Sequence, residues 1–134
     1  MIKNNKFYYN RLKNIVIIGS LSSLEDVLKI NNDLNLNTYL ITSPSFKLKT
    51  KSVKTKLFNK LDKFFENYIK KNFNINETLF TSFGPRWIFS KKLISKIFKN
   101  NIINFHSTRL PLDSGSASFS WRVMRNDRIG NCLA

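Results

Sequence analysis

Asn104 and His106 stand two apart at the end of an apolar run, Ile102-Ile103-Asn104-Phe105-His106. A loop containing Leu110-Pro111 and Gly115 follows. On a strand, side chains two apart share a face. An amide there can donate a hydrogen bond to a carbonyl oxygen as it gains negative charge. An imidazole titrates near neutrality, so it can move a proton or stabilise that oxyanion as imidazolium. The pair suits attack of an amine on an acyl group. Other chemistries fit less well. His106 is the chain's only histidine, and Cys132, the only cysteine, is distant in sequence. That set is too thin for a metal site. A serine triad needs a Gly-x-Ser-x-Gly elbow on a strand-to-helix turn. Ser114-Gly115-Ser116 lacks the preceding strand. The ordinary alternative for a lone histidine is a hydrogen-bonded structural side chain.

The elements that must position this pair are legible as alternating strands and helices. Asn14 to Ile18 is a β-branched run closed by Gly19-Ser20, which predicts a buried strand and a turn. Ser22 or Ser23 can cap a helix with Glu25 and Asp26 in its first turn. Leu24, Val27, Leu28 and Ile30 form its apolar stripe, and Asn31 to Asp33 end it. Thr38 to Thr42 reads as the second strand, closed by Ser43-Pro44-Ser45. A basic loop from Phe46 to Val53 comes next. The helical spacing of Leu57, Leu61, Phe64, Phe65, Tyr68 and Ile69 predicts a helix over Lys54 to Lys71. Thr78 to Phe83 is the third strand and ends at Gly84-Pro85. Ser90 caps a helix over Lys91 to Lys99, with Leu93, Ile94, Ile97 and Phe98 inward. Ile102 to Phe105 is the fourth strand. Ser116 to Asn126 reads as a helix, Asp127 to Gly130 as a turn, and Asn131 to Ala134 as the opening of a fifth strand.

Alternation of this kind predicts an α/β domain with a mainly parallel sheet covered on both faces. Ligands of such sheets bind at the carboxyl ends of the strands, near a switch point. Gly19-Ser20 could hold an anion on its backbone N–H groups. One glycine is short of the three that a dinucleotide fingerprint needs, so a plain strand-to-helix turn is the better reading.

The formal charge is +15, from 23 basic and 8 acidic residues. RNA, DNA or an anionic membrane surface could exploit it. The excess is mostly lysine, however, accompanied by abundant Asn, Ile and Phe, as an A/T-rich coding sequence would favour. Arginine, the residue suited to bidentate phosphate and base recognition, is scarce. Compositional bias is therefore preferred over a nucleic-acid footprint. Nine lysines against Asp62 and Glu66 lie between Lys47 and Lys71, and a solvated face is the ordinary meaning of such a run. One cysteine allows no internal disulfide, which fits a reducing cytoplasm. No segment approaches the roughly 18 consecutive apolar residues of a membrane span. Residues 1–12 mix Lys, Asn and aromatics without a signal peptide's apolar centre, and read as a flexible segment before a domain over 13–134.

Asn104-Phe105-His106, Leu110-Pro111 and Gly115 resemble the Asn-x-His…Leu-Pro-x-x-x-Gly signature of the folate-dependent formyltransferases. That family includes the methionyl-tRNA, glycinamide ribonucleotide and sugar N-formyltransferases. Gly84 to Ser90 resembles the family's Gly-x-x-x-Ile-Leu-Ser segment. Trp121 to Gly130 resembles its Trp-x-Ile/Leu-x-x-Gly-Asp-x-x-x-Gly helix and turn. The likeness runs from about Leu79 to Ala134 and is only topological before that.

The resemblance implies a Rossmann-like formyltransferase fold, incomplete at its C-terminal end, with 10-formyltetrahydrofolate as formyl donor and no metal. It implies that Asn104 binds the formyl oxygen and that His106 assists proton transfer. It implies that Arg86, Trp87, Ile88 and Phe89 line the pterin pocket, with Thr108, Arg109, Leu110 and Pro111 on a second folate-contacting loop. The acceptor it implies is a small-molecule amine. Ser120-Trp121-Arg122 leans towards the sugar-type members, hence towards a nucleotide-linked amino sugar. There are departures. The common His-x-Ser-Leu-Leu-Pro is His106-Ser107-Thr108-Arg109-Leu110-Pro111 here. Asp113 replaces an aromatic, and Ser114 replaces a basic residue. The family's third catalytic residue is an Asp in an Asp-Thr/Ser-Gly context, and neither Asp113 nor Asp127 matches it. A truncated domain, inactive by itself, is the resulting expectation. The alternatives are a basic module that binds RNA or another polyanion without catalysis, and a non-functional remnant.

Overall fold

The computed structural model describes residues 11–20, 24–46, 53–105 and 124–126. Five strands form one sheet: β1 (Asn14–Gly19), β2 (Asn37–Thr42), β3 (Lys54–Leu57), β4 (Thr78–Phe83) and β5 (Ile102–Phe105). Their spatial order is β3-β2-β1-β4-β5. β1 pairs in parallel with both β2 and β4, and β2 pairs in parallel with β3. The parallel α/β sheet expected from the alternation is thus present. The chain order reverses between β1 and β4, which makes that junction the switch point. The chain divides into two compact units, Met1–Ile103 and Asn104–Ala134.

β1 is central because it is apolar on both faces. Val16 and Ile18 join the core on one side of the sheet and Ile17 the core on the other, all three fully buried. Helix α1 (Leu24–Asp33) covers the second side through Leu28 against Ile17, Leu40 and Val53. Its end is a left-handed turn at Asn35, φ 55°, with Leu36 N–H bonded to Asn31 O at 2.8 Å. The Asn31 amide also donates to Thr38 Oγ1 at 2.9 Å, fastening helix to strand.

The other side carries the larger core. Helix α2 (Lys63–Asn72) buries Phe65 and Ile69, four apart and therefore on one face. A short helix after Ser90 widens into a π-helical segment, Leu93–Ile97. Ser90 caps it as expected, accepting from Leu93 N–H at 3.2 Å. Widening brings residues five apart onto one side, as the Phe98 N–H to Leu93 O bond at 3.0 Å shows. Leu93, Ile97 and Phe98 are all buried as a result, while Ile94 is half-buried. Phe98 meets Phe80 with ring centroids 4.7 Å apart and Phe65 at 6.2 Å.

One expected element is corrected. Lys54 to Lys71 is not a single helix: Lys54–Leu57 is strand β3, and α2 starts at Lys63. Thr55 and the Lys-Thr-Lys-Leu alternation suit an edge strand, and pairing with β2 satisfies its backbone. The break falls where Asp62 caps α2, its carboxylate accepting from Phe64 N–H at 2.9 Å and Phe65 N–H at 3.3 Å. Leu57 and Phe64, expected on the apolar face, are 48% and 66% exposed. The helical spacing of apolar residues before Asp62 was coincidental. Several expectations lie outside the described residues: the Ser22 or Ser23 cap, most of the Phe46 to Val53 loop, residues 1–10, the turn over 127–130 and the strand opening over 131–134. Of the expected helix over 116–126 only Met124 to Asn126 is described, with Met124 exposed and Asn126 at φ 52°.

Candidate functional site

The switch point is closed tightly on its sheet side. Gly19 has φ +121°, and a Cβ there would sit 2.2 Å from Phe83 O. Only glycine lets the ends of β1 and β4 approach so closely. The next N–H, that of Ser20, donates to Phe83 O at 2.9 Å. That donor serves the strand junction, which favours the plain-turn reading of Gly19-Ser20 over a phosphate cradle.

Beyond this junction the carboxyl ends of β1, β2 and β4 enclose a cavity of about 120 Å³. Gly19 and Ser20 form one wall, Thr42, Ser43, Ser45 and Phe46 a second, and Gly84, Arg86 and Trp87 a third. A wider depression of about 430 Å³ shares Ser43, Ser45, Arg86 and Trp87 with it and adds Pro44 and Asn59. The two are continuous through those shared residues. This is the location at which open parallel sheets bind ligands.

Each wall is held by identifiable bonds. Trp87 Nε1 donates to Asn59 O at 3.1 Å, fixing the indole between the turns after β3 and β4. Arg86 Nη1 donates to Ser45 Oγ. Ser45 Oγ in turn lies 2.7 Å from Ser43 Oγ. Arg86 has no carboxylate partner among the described residues, so its charge remains available to an anionic or carbonyl-bearing ligand. The site therefore combines one flat apolar ring, one cation and a row of hydroxyls. It can hold a polar heteroaromatic group by stacking and hydrogen bonding.

The residues expected to line a pocket separate into three groups. Arg86 and Trp87 line the cavity. Ile88 is 95% exposed and borders neither depression. Phe89 turns to the core and meets Phe98 at 6.0 Å between centroids. Asn104 is the third residue of β5 and is exposed. His106, Thr108, Arg109, Leu110 and Pro111 lie outside the described residues, as do Gly115 and Trp121. Ser43, Ser45 and Asn59 were not anticipated as lining residues. Ser43-Pro44-Ser45 could have been, because it follows a strand's carboxyl end in a parallel sheet. Asn59 was hidden by the helix expected across it. Among the described residues no group of three or more His, Cys, Asp or Glu side chains could hold a metal ion.

Strand order, parallel pairing and the cavity at the switch point define a Rossmann-like α/β protein. Its particular version is the formyltransferase fold. Phosphoribosylglycinamide formyltransferase from Anaplasma phagocytophilum superposes with a TM-score of 0.64 at 17% identity, over 91% of this chain and 62% of that one. Glycinamide ribonucleotide transformylase 1 from Geobacillus kaustophilus gives 0.65 at 15% identity, over 86% and 68%. Phosphoribosylglycinamide formyltransferase from Brucella melitensis gives 0.64 at 15% identity, over 91% and 70%. At such identities the likeness is one of fold, and the chain spans about two thirds of these proteins' lengths. No family model matches the chain, and no curated protein matches it significantly.

Proposed function

We propose that this chain is a folate-dependent formyltransferase domain, built for passage of a formyl group from 10-formyltetrahydrofolate to an acceptor amine and inactive by itself for want of the family's catalytic Asp. The carrying observation is that two independent signals meet. The Asn104-Phe105-His106…Leu110-Pro111 pattern resembles one family's signature, and the fold is that of formyltransferases. In this reading Trp87 and Arg86 receive the donor's ring, the indole by stacking and the guanidinium by hydrogen bonding. Asn104 Nδ2 donates to the formyl oxygen as the amine attacks the formyl carbon. His106 assists passage of the amine's proton towards the departing donor nitrogen. A C–N bond forms to the acceptor and the donor's C–N bond breaks. Thr108 to Pro111 complete the donor site. The acceptor class is a small-molecule amine, and a nucleotide-linked amino sugar is the preferred member. A reducing, cytoplasmic setting accords with both the donor and the single cysteine.

Titration of the 134-residue chain with 10-formyltetrahydrofolate, read by tryptophan fluorescence, tests the donor site. Saturable quenching is expected, with Trp87→Ala and Arg86→Ala each weakening it about tenfold, the scale of one good polar or stacking contact. No saturable binding at millimolar donor would remove the reading. Asn104→Ala and His106→Ala should leave donor binding intact while abolishing formyl transfer to amino-sugar nucleotides by whatever protein carries this domain.

A further inference from the structure

Among the described helices, charge differs between the two sides of the sheet. On the α1 side of the sheet, helix α1 carries Lys29 against Glu25, Asp26 and Asp33. On the opposite side, α2, the helix after Ser90 and the turn that follows it carry seven lysines: Lys63, Lys70, Lys71, Lys91, Lys92, Lys96 and Lys99. Against them stand only Asp62 and Glu66. Both carboxylates are already engaged. Asp62 caps α2 and lies 3.7 Å from Lys60, and Glu66 holds Lys92 at 3.0 Å. All seven lysines are exposed.

Asparagine is spread over both sides, with Asn31, Asn32, Asn35 and Asn37 in or after α1 and Asn67, Asn72 and Asn100 in or after the other two helices, whereas the lysines of the described helices concentrate on the second side. Both helices pack over one core, so their exposed lysines lie on the same side of the sheet.

An aromatic ring completes the surface. Phe64 on α2 is 66% exposed, with one edge against Phe58 at 5.9 Å between ring centroids, although Phe65 beside it is fully buried. Exposed lysines and a largely exposed aromatic ring on one helix suit a phosphodiester backbone with a base against the free side of the ring. An anionic membrane fits less well. The apolar stripe of α2, Phe65 and Ile69, is consumed by the core, which leaves no apolar face to insert. None of the seven cations is arginine, so bidentate base reading is lacking and recognition runs through the backbone. We propose that the face formed by α2 and the helix after Ser90 binds single-stranded nucleic acid without sequence preference.

The test is fluorescence anisotropy of the full chain with labelled oligouridylate and oligodeoxythymidylate across a salt series. Binding at low salt, similar for both oligonucleotides, is expected. The triple variant K63Q/K70Q/K71Q should lower the slope of log affinity against log salt by about 2, at roughly 0.7 per lost phosphate contact. Phe64→Ala should weaken binding on the order of tenfold. Lys29→Gln, on the α1 face, should change nothing, and all variants should keep a cooperative thermal transition above the assay temperature. Absence of binding at low salt overturns the proposal, as does a salt slope indifferent to the triple variant. A strong preference for one oligonucleotide would overturn backbone recognition. Tighter binding to phosphatidylserine vesicles than to either oligonucleotide would overturn the assignment in favour of a membrane. These outcomes are independent of donor binding at Trp87.

Discussion

Two small residues at the end of the central strands show how local sterics shape the site. Gly19 lets β1 approach β4 so closely that an added Cβ would sit 2.2 Å from Phe83 O, at a φ of +121°. Gly19→Ala should therefore cost about 2 kcal/mol or more in urea unfolding, from strain and clash together. Ser82, one residue before Phe83, is fully buried, and its hydroxyl finds no hydrogen-bond partner among the described residues. A buried hydroxyl without a partner opposes folding. Ser82→Ala should be neutral or stabilising by up to about 1 kcal/mol in the same measurement. A marked loss of stability in Ser82→Ala would show that the hydroxyl is bonded after all. Neither behaviour could be read from residue type, since glycine and serine both look like ordinary turn or strand residues until their neighbours are known.

The elements were legible to unequal degrees. β1, α1, β2, β4 and β5 follow from apolar runs, capping residues and turn signals, and the structure has them within a residue or so. The stretch from Lys54 to Lys71 misled because a short edge strand and a helix happen to share one helical spacing. Asp62 was visible, but a cap is convincing only once the helix end is known. Its role makes a sharp prediction. Asp62→Ala removes the acceptor of two helix N–H groups and should destabilise the protein by about 1 kcal/mol. Asp62→Asn should recover most of that loss, because the amide oxygen still caps. Equal loss in both variants would mean that the carboxylate acts through its charge on Lys60 and the helix dipole instead.

At the scale of the whole molecule, charge is the dominant feature. A formal charge of +15 on 134 residues imposes self-repulsion on the folded state. Melting temperature should rise as salt is raised from a few millimolar to about 150 mM, where the Debye length is ≈ 8 Å and exposed charges are largely screened. Thermal melts by circular dichroism would check this, and a flat response would mean that the lysines are too widely spaced to matter. The K63Q/K70Q/K71Q variant should show a smaller rise, because it thins the face where repulsion concentrates.

The sequence alone determined the α/β class, the parallel sheet and the pattern that resembles a formyltransferase signature. These depend on local periodicity, on punctuation by Gly, Pro, Ser and Asn, and on short-range spacing such as that of Asn104 and His106. Tertiary structure alone decided which strand ends meet. It brought Ser43, Ser45 and Asn59 to Arg86 and Trp87 across 27 to 44 residues of chain. It also decided on which side of the sheet the lysines of the described helices lie, because a net count carries no information about faces. A chain records which residues it has and in what order. Whether two of them share a cavity or a surface depends on strand order and on which side of the sheet each helix packs, and both are set by the packing of the whole core.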